Sequence, residues 1–247
     1  MGFNKIARFY HLLSDESLRL SREGTLLLEI LHLYGPSPRV LDLACGTGVH
    51  SRYLVGQHAG VVAMDISPEM LHYAKSQEHG EKVNYVVADF NNLPFKGQWD
   101  FIMCLGNSIC LLTSHLEIKN LFQQVASLLG PNGIFMIQIL NYNHADMKQI
   151  KTLCTSKKLN DNENVIITKT FIPDEDVVFL SINYFVRTRE LYSTANEANV
   201  LLKLSMPEVK AVADGVSLYT KAVYGDFQKN DFIAEISKDL IMLFSKS

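Results

Sequence analysis

Three aspartates in the first ninety residues stand at the ends of short apolar runs, where a carboxylate can meet a ligand. Asp42 lies in "RVLDLACGTG", Asp65 ends "VVAMD" and Asp89 lies in "VVADF". If these runs are parallel strands, their carboxyl ends meet at one edge of a sheet, which is where doubly wound folds bind ligands. The pattern therefore predicts one site to which three carboxylates contribute.

The stretch "LDLACGTGVHS" joins one of these acids to two spaced glycines. Gly46 and Gly48 let the backbone approach a ligand closely at a strand-to-helix turn. A dinucleotide-binding loop would have Gly or Ala three residues after Gly48, but Ser51 occupies that position. Asp42 would also repel a pyrophosphate, so the loop disfavours NAD and favours a ligand that carries an ammonium group.

The other two aspartates match the two halves of an adenosine. Asp65 follows the glycine loop by some twenty residues, a separation at which a carboxylate accepts hydrogen bonds from both ribose hydroxyls. Asp89 can accept a hydrogen bond from the exocyclic amine of adenine, while Ile66 and Phe90 offer apolar surface to the ring. Together the residues predict an adenosine joined to a group that bears an ammonium.

The elements that position these residues alternate between β-branched runs and helical segments, as in βαβ units. "LLGPNG" at 128–133 predicts a helix end and a turn, and Ser67 before Pro68 is an N-cap pattern. We predict helices that begin near residues 49, 68 and 114, and strands at 39–43, 60–65, 83–88, 99–105 and 133–140.

After residue 140 the pattern changes to longer extended runs. Consecutive strands with short links favour an antiparallel sheet. A helix in "SMPEVKAVADGV" and two strands in "SLYTKAVYGDFQ" and "DLIMLFSKS" then complete the main sheet. For the stretch between, we predict a helix near 144–157, extended runs at 164–172, 176–188 and 191–204, and a turn at "PDED", 173–176.

These elements predict an α/β fold, a doubly wound, Rossmann-like sheet of seven mostly parallel strands with a small antiparallel β insertion after the fifth strand. Residues 1–140 and 205–247 would form the ligand-binding domain, which begins with a helical lid at 1–34. Residues 141–204 would form an inserted cap over the substrate.

Composition narrows the class of protein. A chain of 247 residues can form one domain with an insertion, and its net charge of −3 gives no general attraction to nucleic acid or anionic lipid. The four cysteines lack metal-ligand spacing, and no apolar run reaches the roughly 20 residues that cross a bilayer. We expect a cytoplasmic protein with a small-molecule partner, without metal, nucleic acid or membrane.

The motifs "LDLACGTG", "MDISPEML" and "ADF" resemble the successive cofactor motifs of class I S-adenosylmethionine-dependent methyltransferases over residues 39–140. The resemblance implies S-adenosylmethionine as cofactor, with Asp42 near the methionine ammonium, Asp65 at the ribose and Asp89 at the adenine. It implies a cofactor-binding set of Asp42, Ala44, Gly46, Thr47, Gly48, Asp65, Ile66, Met70, Asp89, Phe90 and Leu105.

"GNS" at 106–108 and "NY" at 141–142, with the later extended runs, are similar to glycine/sarcosine N-methyltransferases and related small-molecule N-methyltransferases. "FYHLLSDE" resembles the segment that closes over the cofactor in such relatives. The resemblance implies an acceptor site at Asn107, Ser108, Asn141 and Tyr142, and catalytic residues Asn107, Tyr142 and Tyr10.

The acceptor atom follows from the chemistry of methyl transfer. Transfer from a sulfonium needs alignment and exclusion of water, and a neutral amine needs no base, whereas "CLGNSICLL" supplies no plain base for a hydroxyl. Arg187 and Arg189 share one face of an extended run and could bind a substrate carboxylate. A methyltransferase leads, while a non-catalytic cofactor-binding regulator and, less favoured, an NAD-dependent oxidoreductase stay open.

Overall fold

The computed structural model describes residues 7–13, 15–189 and 191–246, with side chains from Phe9 onward. Residues 1–6 of the expected lid lie outside the described residues. Eleven strands follow in chain order: β1 Arg39–Leu43, β2 Gly60–Asp65, β3 Asn84–Val87, β4 Trp99–Cys104, β5 Leu129–Leu140, β6 Lys151–Asn160, β7 Glu163–Pro173, β8 Val177–Arg187, β9 Tyr192–Leu202, β10 Leu218–Tyr224 and β11 Asp239–Lys246.

The central sheet has seven strands in the order β10-β11-β5-β4-β1-β2-β3. Strands β1 to β5 pair in parallel, and β11 runs antiparallel between β5 and β10. Asp42 pairs with Ala63 on one side and with Met103 on the other, so the ends of β1, β2 and β4 lie side by side. The predicted seven-stranded, mostly parallel Rossmann-like sheet is confirmed.

Helices connect these strands where capping residues begin them. The Ser67 hydroxyl accepts a hydrogen bond from Met70 N at 3.2 Å, and Ser114 accepts one from Glu117 N at 3.3 Å. These caps start two helices at the predicted positions. The α-helices are α1 Ala7–Tyr10, α2 Glu16–Leu31, α3 Val49–Gly56, α4 Pro68–Ser76, α5 His115–Leu128 and α6 Met206–Asp214.

The second sheet contains β6, β7, β8 and β9 in sequence order, all antiparallel. The three predicted extended runs correspond to β7, β8 and β9. The helix predicted near 144–157 is wrong, because this stretch forms a short 3-10 turn at Ala145–Met147 and then β6. The pairing of β6 with β7 along its length overrides the local helical pattern.

The turn predicted at 128–133 is also different in the structure. Strand β5 begins at Leu129, directly after α5, and Trp99 pairs with Leu129 while Phe101 pairs with Ile134. The residues between those pairs form an irregularity inside the strand. A Cβ on Gly133 would lie 2.7 Å from the Trp99 carbonyl oxygen, so the close approach of β5 to β4 at this position requires a glycine.

The two sheets share one hydrophobic core. The inward face of β8 consists of buried side chains, and these belong to the same cluster as Leu41 of β1 and Phe135 of β5. The inserted sheet is therefore packed against the central sheet. No helix in the described part of the chain is long and apolar enough to cross a membrane.

Candidate functional site

A cavity of about 560 Å³ lies between the carboxyl edge of the central sheet and the inserted sheet. This volume is within the range of small-molecule sites, about 300–1,000 Å³. The N-terminal helices contribute Tyr10, Leu13, Arg19, Arg22 and Glu23, and the inserted sheet contributes Leu153, Lys169, Phe171, Leu180, Ile182 and Leu201. The sheet edge contributes, among others, Ala44, Gly46, Asp65, Ile66, Met70, Asp89, Phe90, Gly106, Asn107, Ser108 and Gln138.

The first half of the glycine loop forms part of the cavity wall. Ala44 and Gly46 both adopt left-handed backbone conformations, with φ of 56° and 55°. A Cβ built on Gly46 would meet nothing within 4 Å, so the space beside this residue is open to the cavity. Gly46 therefore offers the close backbone approach that the sequence predicted.

Gly48, the second glycine of the loop, is required by packing inside the fold. Gly48 has φ of 72°, and a Cβ there would lie 2.7 Å from Tyr85 Oη and 2.9 Å from Ala74 Cβ. Gly48 does not line the cavity; it lets the loop pack against α4 and β3. Thr47 and Leu105 are also buried, and none of these three residues of the expected cofactor-binding set lines the cavity.

Asp65 both lines the cavity and holds the loop. Its Oδ2 accepts a hydrogen bond from Gly46 N at 2.8 Å, and its Oδ1 accepts one from Ser67 N at 2.9 Å. Burial raises the pKa of Asp65, although the backbone donors oppose that shift. Each carboxylate oxygen has a second lone pair, so Asp65 can still accept hydrogen bonds from ligand hydroxyls.

A mixed polar and apolar surface follows at the ends of β2 and β3. Asp89 is exposed, and its Oδ1 accepts hydrogen bonds from Asn91 N at 2.8 Å and Asn91 Nδ2 at 3.1 Å. Ile66 is 44% exposed, and Phe90 and Met70 line the same wall. An apolar surface beside a carboxylate fits a flat, amine-bearing ring.

Asp42, the carboxylate expected near an ammonium, is buried and is not among the residues that line the cavity. It is only 2% exposed, and the Ser51 hydroxyl on α3 donates a hydrogen bond to its Oδ2 at 2.5 Å. Asp42 is therefore bonded to the first turn of α3, and neither Asp42 nor Ser51 lines the cavity. Burial raises the pKa of Asp42 to about 7, against the opposing effects of Ser51 and Arg19.

A buried ionic cluster on α2 was missed by the sequence analysis. Glu23 accepts a hydrogen bond from Arg19 Nε at 3.1 Å, and its Oε2 lies 2.6 Å from His50 Nε2. Burial disfavours ionisation of Glu23, but His50 and Arg19 lower its pKa overall. The available signal was spacing, because Glu23 shares the helical face of the buried Leu27 and Ile30.

The loop after β4 is tied to β5 through Asn107. Its φ is 68°, its Oδ1 accepts a hydrogen bond from Leu140 N at 2.9 Å, and its Nδ2 donates to Tyr142 Oη at 2.8 Å. Asn107 and Ser108 line the cavity, as expected for acceptor-site residues.

Tyr142 and Asn141, which were expected at the acceptor site, are not among the residues that line the cavity. Tyr142 is buried beneath Asn107, and Asn141 Nδ2 donates to the carbonyls of Ala234 and Ser237 at 2.7 and 2.6 Å. Both side chains anchor loops. Burial raises the pKa of Tyr142, which keeps its hydroxyl protonated.

Gln138 is a further positioning residue that the sequence analysis missed. Its Oε1 accepts a hydrogen bond from Gly106 N at 2.7 Å, and its Nε2 donates to Asp239 Oδ1 at 2.7 Å. Gln138 thereby fixes the turn at Gly106, which follows β4 and lines the cavity. The signal was a single polar residue in the apolar run "GIFMIQIL".

The predicted arginine pair lies outside the cavity. Arg187 and Arg189 are both exposed, and the Arg187 guanidinium lies 5.9 Å from the ring centroid of Tyr192. The reason is strand alternation, since Arg187 shares the outward face of β8 with Phe179 and Phe185. The basic residue of the inserted sheet that lines the cavity is Lys169.

Comparison with known proteins finds methyltransferases that are similar to this chain. Residues 40–133 match a family model described as a methyltransferase domain. The chain is 33% identical over 156 residues to glycine N-methyltransferase of Oryctolagus cuniculus, covering 56% of this chain and 52% of that protein. It is 33% identical over 137 residues to glycine/sarcosine N-methyltransferase of Halorhodospira halochloris, covering 53% and 50%. The chain spans about half the length of these relatives.

A solved structure extends the comparison to the whole fold. An S-adenosylmethionine-dependent methyltransferase from Clostridium acetobutylicum superposes with a TM-score of 0.81 at 20% identity, over 99% of both chains. The likeness therefore includes the inserted sheet as well as the central one. The predicted fold and the resemblance to S-adenosylmethionine-dependent methyltransferases are confirmed.

Proposed function

We propose that this chain transfers the methyl group of S-adenosylmethionine to a small-molecule acceptor, and that the acceptor atom is an amine nitrogen. The observation that carries the proposal is the cavity between two sheets. Its wall at the edge of the central sheet presents Gly46, Asp65 and Asp89, and the wall opposite belongs to the inserted sheet. Two ligands can therefore meet in one enclosed space.

The residues of the sheet edge fit the cofactor. Asp65 keeps acceptor capacity for ribose hydroxyls, and open space beside Gly46 admits a ligand against the backbone. Ile66 and Phe90 supply apolar surface for an adenine next to the Asp89 carboxylate. Bound S-adenosylmethionine would supply an electrophilic methyl group, and these residues would hold and orient it.

The acceptor end favours nitrogen over oxygen. Asn107 and Ser108 are not bases at neutral pH, and burial raises the pKa of the Tyr10 hydroxyl. A hydroxyl acceptor would need a base, whereas a neutral amine carries its own lone pair for in-line displacement at the sulfonium methyl. The names of the two relatives, which specify N-methylation of glycine and sarcosine, support the same choice.

The surrounding elements would exclude water. In this proposal residues 141–204 are an acceptor-covering insertion in a domain formed by 1–140 and 205–247. The described part of the N-terminal lid brings Tyr10 and Leu13 to the cavity wall. Tyr10, Asn107 and Ser108 would contact the acceptor, and Asn141 and Tyr142 would act behind them by fixing the loops.

The cavity also bears on the two alternatives. A regulator that only binds the cofactor needs no second space, but here the cavity continues from the cofactor edge to Lys169 and Leu201 of the inserted sheet. This favours catalysis. An NAD-dependent oxidoreductase has no support, since the loop that would hold a pyrophosphate has Asp42 directly behind it and Ser51 in the fingerprint position.

Incubation of the purified chain with S-adenosylmethionine and a mixture of amines and matched alcohols tests the proposal. Mass spectrometry should find an amine heavier by one methylene unit, together with S-adenosylhomocysteine. Methylation of alcohols alone would contradict the nitrogen assignment. Tight binding of S-adenosylhomocysteine with no methylated product from metabolite extracts would favour the regulator.

A further inference from the structure

Between Val165 and Phe171, the inward face of β7 is apolar except for one residue. Side chains alternate along a strand, so Val165, Ile167, Lys169 and Phe171 share the face that points to the interior. Val165, Ile167 and Phe171 are buried among core residues. Lys169 occupies a position where this pattern would place another apolar side chain, and it lines the cavity.

The wall around Lys169 is apolar as well. The other cavity-lining residues of the inserted sheet are Leu153, Phe171, Leu180, Ile182 and Leu201. Ile182 pairs with Lys169 in the sheet register, and the Lys169 ammonium lies 5.1 Å from the Phe171 ring centroid. Lys169 is thus a cation within the apolar wall that the inserted sheet contributes, while Arg19 and Arg22 of α2 line the cavity from another element.

Lys169 forms no ion pair with the residues that the structure describes. Glu197 stands one strand beyond Ile182; its Oε1 accepts a hydrogen bond from Asn199 Nδ2 at 3.1 Å, its Oε2 is buried without a hydrogen-bond partner among the described residues, and it forms no ion pair with Lys169. Burial, and then Arg19, lower the pKa of Lys169. Because withdrawing a charge from water is costly unless it is paired, an anion beside Lys169 would offset that cost.

On the basis of the proposed function, we propose that the acceptor is an amine that also carries an anionic group and a bulky apolar body. Lys169 binds the anionic group, and the wall of Phe171, Leu180, Ile182 and Leu201 binds the apolar body. The amine then lies toward the Asn107 turn. Glycine and sarcosine have a carboxylate but no apolar body, so they would leave this wall unfilled and be poor acceptors.

A binding experiment separates these contributions. The full chain is saturated with S-adenosylhomocysteine and titrated calorimetrically with phenylbutyrate, phenylbutanol and acetate. Phenylbutyrate combines an apolar body with a carboxylate, and the other two probes each lack one of these parts. We expect phenylbutyrate to bind about tenfold to a hundredfold more tightly than either, the scale of one charge-assisted hydrogen bond or of a buried ring.

Variants assign the anion site. The Lys169→Met variant should bind phenylbutyrate and phenylbutanol alike, while Lys169→Arg should keep most of the preference. Arg187→Met removes an exposed cation from the same sheet and should leave all three affinities unchanged. Lys169→Gln provides the same comparison should the methionine variant fail to fold.

Several results would overturn the proposal. Equal binding of acetate and phenylbutyrate, or no binding of phenylbutyrate, would contradict the proposal that the acceptor carries an apolar body. If Lys169→Met still binds phenylbutyrate more tightly than phenylbutanol by the wild-type factor, Lys169 is not the anion site. A tenfold loss of S-adenosylhomocysteine affinity in that variant would assign Lys169 to the cofactor instead. Failure of the methyltransferase proposal itself would be seen separately, as absence of S-adenosylhomocysteine binding or of methylated product with the wild-type chain.

Discussion

The charged residues near the cavity act at different distances from a ligand. Asp65 faces the cavity and accepts hydrogen bonds from two backbone amides, so it holds the loop while its carboxylate stays accessible from the cavity. Asp42 lies one layer behind, bonded to Ser51. Glu23 lines the cavity and holds Arg19 and His50 in one cluster. Substitution of each residue should therefore give a distinct result.

The Asp65→Ala variant should lose affinity for S-adenosylhomocysteine by about 1–3 kcal/mol, the range for hydrogen bonds to a charged group. It should also unfold at lower denaturant concentration, since two backbone donors lose their acceptor. Calorimetry and urea unfolding measure the two effects. Asp161→Ala, which removes an exposed aspartate paired with Lys158, should change neither. Unchanged affinity together with lower stability would make Asp65 a purely structural residue.

The Asp42→Asn variant should change how stability depends on pH. Burial raises the pKa of Asp42 to about 7, whereas the pKa of an aspartate in the unfolded chain is about 3.9. Between these values the folded state holds a proton that the unfolded state releases, so stability decreases as pH rises from about 4 through about 7. An asparagine does not titrate, yet its amide oxygen can still accept the Ser51 hydrogen bond.

Urea unfolding of ligand-free protein at about pH 5 and about pH 8 measures this dependence. The wild-type chain should lose about 1–3 kcal/mol more than Asp42→Asn across the interval. Parallel pH profiles would show that the carboxyl group is ionised throughout. His50 and the other buried acids titrate in both proteins, so the difference between the profiles isolates Asp42.

At the scale of elements, the two glycines of the loop between β1 and α3 have different surroundings. Gly46 faces the cavity with open space beside it, and Gly48 faces Tyr85 and Ala74. Both need a left-handed backbone, which costs a residue with a Cβ about 1–2 kcal/mol. Only Gly48 would add a steric clash within the fold.

The Gly48→Ala variant should be destabilised by about 2–4 kcal/mol, because overpacking adds to the backbone strain. Gly46→Ala should lose only about 1–2 kcal/mol of stability but bind S-adenosylhomocysteine much more weakly, because the new methyl group enters the ligand side. Thermal unfolding and calorimetry on the same pair of variants make the comparison. If Gly46→Ala proves the less stable of the two while its ligand affinity is retained, the assignment is reversed.

At the scale of the whole molecule, the cavity lies between the buried central sheet and the segments that cover its edge. Strands β1, β4 and β5 are covered on both faces and lie inside the central sheet. The inserted sheet and the N-terminal helices close the cavity from the other side. Segments that cover a ligand commonly open more readily than a buried sheet.

Hydrogen–deuterium exchange should therefore respond to ligand in a graded way. Addition of S-adenosylhomocysteine should slow exchange in α2 and in β6 to β9 more than in β1, β4 and β5, which should exchange slowly throughout. NAD at the same concentration should leave the pattern unchanged, since Asp42 behind the glycine loop would repel a pyrophosphate. Equal protection of all elements by ligand would argue against a moving cap.

The sequence by itself determined the features that depend on neighbouring residues. The βα order, the N-caps at Ser67 and Ser114, and the position of Asp65 and Asp89 at the carboxyl edge of the sheet were all predictable. Strand length, capping and the position just after a strand are local properties, and parallel strands then gather their ends at one edge. The same logic predicted three of the four strands in the insertion.

Only the tertiary structure decided which side chains reach the cavity. Lys169 faces inward and Arg187 outward, although both lie on extended runs of similar composition, and Asp42 is buried and bonded to Ser51 of α3. Strand β6 replaced a predicted helix because it pairs with a partner strand. A side chain's direction on a strand, and its covering by another element, depend on register and packing between distant segments, which local sequence patterns do not encode.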